Sequence, residues 1–214
     1  MGRPASLSRD RIAEAAASIV ADDGADALSA RRLGAALGCD PSAVYRHFRT
    51  MDELRRVVGD LVLGDVEVDH RQGDDWGESI RRVCVSLRSV LLTRPNLASL
   101  VQGAPTRLPN EVRITEAILG ALLRGGLAPA DAAAAYHALI EFTIGSAVID
   151  ADVHTLDDSG PAVTYERWRN DYRALGGEAP AIAAVAAHLY RGDASARFEH
   201  GLAALLAGLT GHRD

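Results

Sequence analysis

The stretch SARRLGAALGCDPSAVYRHF, residues 29–48, holds two short segments of apolar-spaced residues divided by a glycine. Ser29 is placed to cap a helix that carries Leu33, Ala36 and Leu37 and stops at Gly38. Asp40 caps the next segment, with Pro41 at the first helical position, where a missing N–H costs nothing. Leu33, Leu37, Val44 and Phe48 recur at spacings that turn them inward. Arg31, Ser42, Ala43, Tyr45, Arg46 and His47 are left at or near the outside. Two helices joined by a tight turn at Gly38-Cys39 have helix-turn-helix geometry, and the second of such a pair fits a groove roughly 12 Å wide.

Working outward, Ser8 caps a preceding helix with Ile12, Ala16, Ile19 and Val20 on one face, ending near Asp23-Gly24. After the pair, Thr50-Met51-Asp52-Glu53 is a capping box that opens a fourth helix through Leu54, Val57, Val58, Leu61 and Val62. Beyond residue 70 the helical patterns lengthen. They run over 76–93, up to Arg94-Pro95, over 110–126, and over a small-faced stretch at 128–153. Residues 154–164 read as a loop, and 165–175, 179–190 and 193–210 as helices. β-branched and aromatic alternation never persists and nothing repeats. The expected fold is all-α, with a helix-turn-helix head over 1–52 and a larger helical body over 53–214.

With 48% apolar residues the chain can bury a core. No apolar run approaches the ~18 residues that span a bilayer, and the N-terminus lacks an apolar export signal, so a cytoplasmic protein away from the membrane is expected. MGRPAS matches a loose myristoylation pattern, but no second membrane signal follows it. Cys39 and Cys84 stand alone, without zinc or disulfide spacing. All 23 Lys+Arg side chains are arginine; with the abundant alanine, this fits a GC-rich genome. Residues 1–50 carry seven arginines against six acids and the remainder sixteen against twenty-three, so any nucleic-acid contact must come from a local patch rather than net charge.

Residues 8–62 resemble the tetracycline-repressor (TetR) family of bacterial transcriptional regulators. The likeness lies in the glycine-ended first helix, LSARRLGAALG, the Val-Tyr-x-His-Phe core of the short helix, and DEL opening helix four. The resemblance implies that Tyr45 and His47 clamp DNA phosphates, that Arg31 reads a base edge, and that Ser42, Ala43 and Arg46 face bases. Where the family commonly has a phosphate-anchoring lysine, this chain has Met51, so Arg49, Thr50 and the free amides of that helix end are expected to supply the contact. Arg3 would extend as an arm toward a minor groove if its tail is ordered.

A reader of this kind needs a body that pairs and senses. Segments 129–151 and 194–209 are rich in small residues that permit close helix approach, and the resemblance implies a homodimer through the long penultimate and final helices, matched to a palindromic double-stranded DNA operator. A small-molecule effector would lodge among helices between about 75 and 150, against Trp76, Leu92, Leu100, Ile118, Tyr136, His137, Glu141 and Phe142. No cofactor or metal site is expected: His137 and Glu141 share a helix face, yet a simple pair explains them, and the acidic residues around His154 read as a solvated loop. Asp40, Tyr45 and His47 are also catalytic vocabulary, but Asp40 is a cap and no nucleophile–base–orienter set converges, so an enzyme is not expected. A helical module that has lost DNA binding stays open as an alternative because of Met51. The reading adopted is a ligand-responsive transcriptional repressor.

Overall fold

Ser8 accepts the amide of Arg11 and opens α1 (Arg9–Asp23), which buries Ile12, Ala13, Ala16, Ile19 and Val20. The computed structural model describes residues 7–68, 75–101, 105–155 and 160–210, and only the backbone of His154, Thr155 and Thr210. The arm reading for Arg3 and the loop acids Asp157 and Asp158 lie outside the described residues. Ser29 caps α2 (Ala30–Leu37), and Thr50 caps α3 (Met51–Leu63). Between them the expected third helix is wound more tightly than an α-helix: Pro41–Arg46 is a 3₁₀ helix. Asp40 sets that winding, because its carboxylate takes the Ser42 amide at 2.8 Å while its carbonyl takes that of Ala43 at 2.9 Å. Val44 and Phe48 still drop into the head's core beside Leu33, and Leu37 is half-buried against it.

Leu54, Val58 and Val62 of α3 belong to that same core, as does Leu97 of the four-residue α5 (Pro95–Ala98). The expected boundary between Asp52 and Glu53 therefore falls in the first turn of a helix that floors the head. Asn96 adds a tie, donating from Nδ2 to the Ala21 carbonyl at the end of α1 at 2.8 Å.

The body is built on α4 (Trp76–Thr93), α6 (Pro109–Arg124) and α7 (Pro129–Thr155), with α10 (Ala194–Thr210) packed on α7 and α4. Its core includes Ile80, Leu87, Leu91, Ile118, Leu122, Leu139 and Leu202. Burial pushes the Cys84 thiol up to about 11, partly countered by a hydrogen bond with Thr143. Against the expectation that no apolar run is long enough, one helix among the described residues, Pro129–Val153, is long and apolar enough to cross a membrane, because its few charges are spaced among small and apolar residues; it packs here against α4, α6 and α10.

Two expectations are corrected. The 154–164 loop is shorter than read, since α7 continues to Thr155 and α8 (Pro161–Ala174) starts at a proline in its first turn, where proline is tolerated. The helix expected over 179–190 contracts to α9 (Pro180–Val185) followed by turns. Tyr190, at φ 54°, ends that segment with its ring stacked on Tyr165 and edge-on to Trp168. Among the described residues there is no β-strand.

Candidate functional site

Two glycines shape the turn between α2 and the 3₁₀ helix. Gly38 sits at φ 64°, the left-handed cap that lets α2 end abruptly. Gly34 is buried, and a Cβ there would lie 2.8 Å from the Cys39 carbonyl oxygen and 3.2 Å from the Pro41 ring. The recognition segment is thereby clamped onto α2. Arg31, Ser42, Tyr45, Arg46, Arg49 and Thr50 are exposed, while Ala43 and His47 are half-buried. Tyr45, Arg46, His47 and Arg49 line one open cavity of about 480 Å³; Arg31, Ser42, Ala43 and Thr50 stand off it.

Sequence reasoning missed two residues that share this cavity, Arg9 and Glu53. Arg9 donates to the His47 carbonyl oxygen and, from Nη2, to Glu53 Oε1 at 2.9 Å; its guanidinium lies 4.1 Å from the centre of the Phe48 ring. One side chain thus ties α1 to the end of the recognition segment and the start of α3. The available signal was its position: an arginine in the first turn of a helix opposes the helix dipole and calls for a partner elsewhere. The capping box forms with a variation. Thr50 Oγ1 accepts the Glu53 amide at 3.0 Å, but the Glu53 carboxylate reaches past Thr50 to the Arg49 amide at 2.7 Å. The Arg9 hydrogen bond, then the Arg49 amide, hold the Glu53 carboxyl below the usual glutamate range. Met51 is half-buried with its side chain against the head's core, so this position packs rather than projects. Three guanidiniums, a phenol and an imidazole around an open hollow are the groups that hold phosphate oxygens.

The body carries a second, larger cavity of about 590 Å³, open to solvent on one side, between α3, α4, α6 and α7. Leu87, Ile114, Ile140, Ile144 and Val148 supply apolar wall, and Thr106, Glu111, Thr115, Tyr136, His137 and Glu141 the polar groups. Of the residues expected to hold a ligand, Leu100, Tyr136, His137 and Glu141 line it. Phe142 faces an adjoining cavity of about 390 Å³, where its ring stacks on Phe198 at 5.4 Å. Ile118 is wholly buried in the core, Leu92 packs against that core, and Trp76 lies against Gly125, so these three are off the cavity. Helical period identifies the apolar faces but not which of them meets the gap between helices.

A reciprocal clasp joins this cavity to the head. Asp60, buried in α3, accepts the Glu111 amide at 2.9 Å through Oδ1 and the Asn110 amide at 3.3 Å through Oδ2, capping the start of α6. Asn110 Nδ2 returns a bond to the Asp60 carbonyl at 3.0 Å. Arg113 of α6 in turn donates to the Leu63, Gly64 and Val66 carbonyl oxygens at 3.1, 3.3 and 2.9 Å, capping the end of α3. Leu63 and Glu111, next to these contacts, both line the cavity. A change in the cavity wall is therefore mechanically connected to the helix that floors the head.

Comparison with known proteins agrees with this arrangement. The profile described as bacterial regulatory proteins, tetR family, matches residues 12–58, and the tetracyclin repressor-like C-terminal domain profile matches residues 70–212. An HTH-type transcriptional regulator of Saccharopolyspora erythraea is 31% identical over 95% of this chain and 84% of its own length. The class C tetracycline repressor protein of Escherichia coli is 27% identical over 95% of this chain and 90% of its own. The TetR family protein ActR of Streptomyces coelicolor, solved in complex with actinorhodin, superposes with a TM-score of 0.85 at 30% identity over 98% of this chain and all of its own. Its complex with (S)-DNPA gives 0.84 at 30% identity over 97% and 98%. With both halves matched and a reading head clasped to the cavity-bearing body, the chain belongs to the tetR family of bacterial regulatory proteins, DNA-binding transcriptional regulators that respond to small ligands.

Proposed function

We propose that the chain is a homodimeric repressor that occupies a palindromic operator and leaves it when a small molecule fills the 590 Å³ cavity. The reading head lies within residues 1–52, sensing and pairing within 53–214, and α3 is shared by both. Tyr45, His47, Arg49 and Thr50 hold phosphates, joined by Arg9, while Arg31, Ser42, Ala43 and Arg46 face base edges. Leu100, Tyr136, His137 and Glu141 contact the effector. The open faces of α7 and α10, rich in small residues, pair with those of a second copy. The protein works in the cytoplasm, beside the DNA it reads, and no reaction is assigned to it.

The observation that carries this reading is the clasp, because it gives an occupied cavity a direct hold on α3 and so on the spacing of two recognition segments, about 34–36 Å apart in a bound dimer. The similarity to ActR, solved with two different small molecules, supports the ligand side. The test is a gel shift with duplexes from the chain's own upstream DNA over a salt series. A sequence-specific shift that weakens linearly in log salt is expected. Failure on that DNA and on genome-selected fragments would remove the reading.

A further inference from the structure

The charge balance of the larger cavity sets the class of molecule that fits it. Its walls are mostly aliphatic, and its polar groups include two carboxylates, Glu111 and Glu141. None of the described residues lining it is an arginine, and the chain contains no lysine that could take an arginine's place. The other polar groups are largely committed to one another. Thr115 Oγ1 and Tyr136 OH share a hydrogen bond of 2.9 Å, and the Thr106 hydroxyl is bonded to Glu111. Glu111 is anchored by backbone: Oε2 also takes the amides of Thr106 and Arg107 at 2.6 and 2.8 Å, and among the described residues no cationic side chain is bonded to it. At the third position of α6 it also stands where the helix dipole favours a negative charge.

An anionic guest would meet the half-buried Glu111 carboxylate and the exposed one of Glu141, with no arginine among the described lining residues of this cavity to offset them. A positive guest gains from both carboxylates and from the half-buried Tyr136 ring on the same wall. His137 does not reverse this balance, since it is four residues from Glu141 on the same helix face, where a protonated imidazole would pair with that carboxylate.

We infer that the effector is an amphiphilic organic cation, with an apolar ring-sized body and a positive charge held between Glu111 and Glu141. The inference rests on the proposed effector role of this cavity.

Three fluorescent probes separate the two claims: rhodamine 6G, a xanthene cation; fluorescein, an anion on the same ring system; and neutral Nile red. Each is titrated against the full-length protein and read by anisotropy, with release of a labelled operator duplex as a second signal. Rhodamine 6G is expected to bind about tenfold or more tightly than fluorescein. Glu141→Gln is expected to cut that ratio several-fold with Nile red unaffected, and Glu111→Gln to act in the same direction. Glu166→Gln, on the exposed surface of α8, makes the same change in net charge and should leave the ratio as it was. If fluorescein matches rhodamine 6G, or if the ratio ignores both cavity glutamates, the cationic class is wrong while the cavity keeps its role through Nile red. If none of the three probes binds, the effector reading falls and the inference goes with it.

Discussion

Asp60 Oδ1 accepts the Glu111 amide at 2.9 Å, so the helix that floors the head also caps the helix that walls the cavity. Asp60→Ala strands the Asn110 and Glu111 amides at the start of α6. With charge-assisted bonds worth about 2–3 kcal/mol, the melting temperature should drop by roughly 4–12 °C. Operator affinity without ligand should change less than its response to ligand. Equal ligand response in wild type and variant, measured by anisotropy, would show that the clasp carries no signal.

Gly34→Ala places a methyl 2.8 Å from the Cys39 carbonyl oxygen, a backbone atom that cannot move without opening the turn. Overpacking of this kind costs about 1–3 kcal/mol. Operator binding should be lost while helical circular dichroism stays near wild type, because the body is untouched. A variant that binds DNA normally would mean that the recognition segment need not be clamped to α2.

Tyr45 and Arg31 should fail differently. Tyr45→Phe removes a phosphate donor and should weaken every duplex alike, by about 1 kcal/mol. Arg31→Ala should relax preference at one base pair by ~1–3 kcal/mol. Quantitative shifts on a panel of single-base operator variants distinguish the two; a uniform loss from Arg31→Ala would make it another phosphate contact.

Arg88 and Asp150 form an ion pair with 5% and 10% side-chain exposure, joined by Tyr165 OH at 3.1 Å and Ser146 Oγ at 3.2 Å. Arg88→Met leaves the Asp150 carboxylate with only the Tyr165 hydroxyl and the longer Arg197 contact at 3.7 Å, and should cost up to ~3 kcal/mol, the low end for a buried pair that loses a partner. Adding Asp150→Leu should recover most of that loss in urea melts. If the double variant is as unstable as the single one, packing of the guanidinium on Phe198 matters more than the charge.

The Glu53 carboxyl sits below its usual range because Arg9 and the Arg49 amide bond its ionised form. In the interval between the lowered folded value and the ordinary one near ~4.3, the unfolded chain binds more protons, so stability rises with pH there. The contribution is complete above the ordinary range and disappears as pH falls through the folded value. Calorimetric melts from pH ~3 to ~6 should show a flatter acid slope for Glu53→Gln, and added salt should flatten the wild type as well. An unchanged slope would take Glu53 out of the acid response.

The head could be read largely from local rules. The caps at Ser8, Ser29, Asp40 and Thr50 each act within three residues, and the spacing of Ile12, Leu33, Val44 and Phe48 reports burial directly. What escaped was non-local. Arg9 reaches Glu53 across 44 positions, and Asp60 reaches Asn110 across 50, and no periodicity links such pairs. The cavity escaped in part for the same reason: Tyr136 and Leu100 face it while Ile118 and Leu92 do not, and that choice depends on how α4, α6 and α7 cross. The 3₁₀ winding of Pro41–Arg46 was hidden because Asp40 and Pro41 begin either helix type equally well.

Because Leu54, Val58 and Val62 of α3 complete the head's core, a hybrid regulator cut between Asp52 and Glu53 would graft a reader without its floor. A junction that respects the packing carries α3 whole. Beyond Leu63, the recipient must then offer an arginine for the helix's last carbonyls and accept Asp60 as the cap of its own α6. Specificity can be exchanged between relatives only together with that pair of contacts, which makes α3 the natural unit of modular redesign.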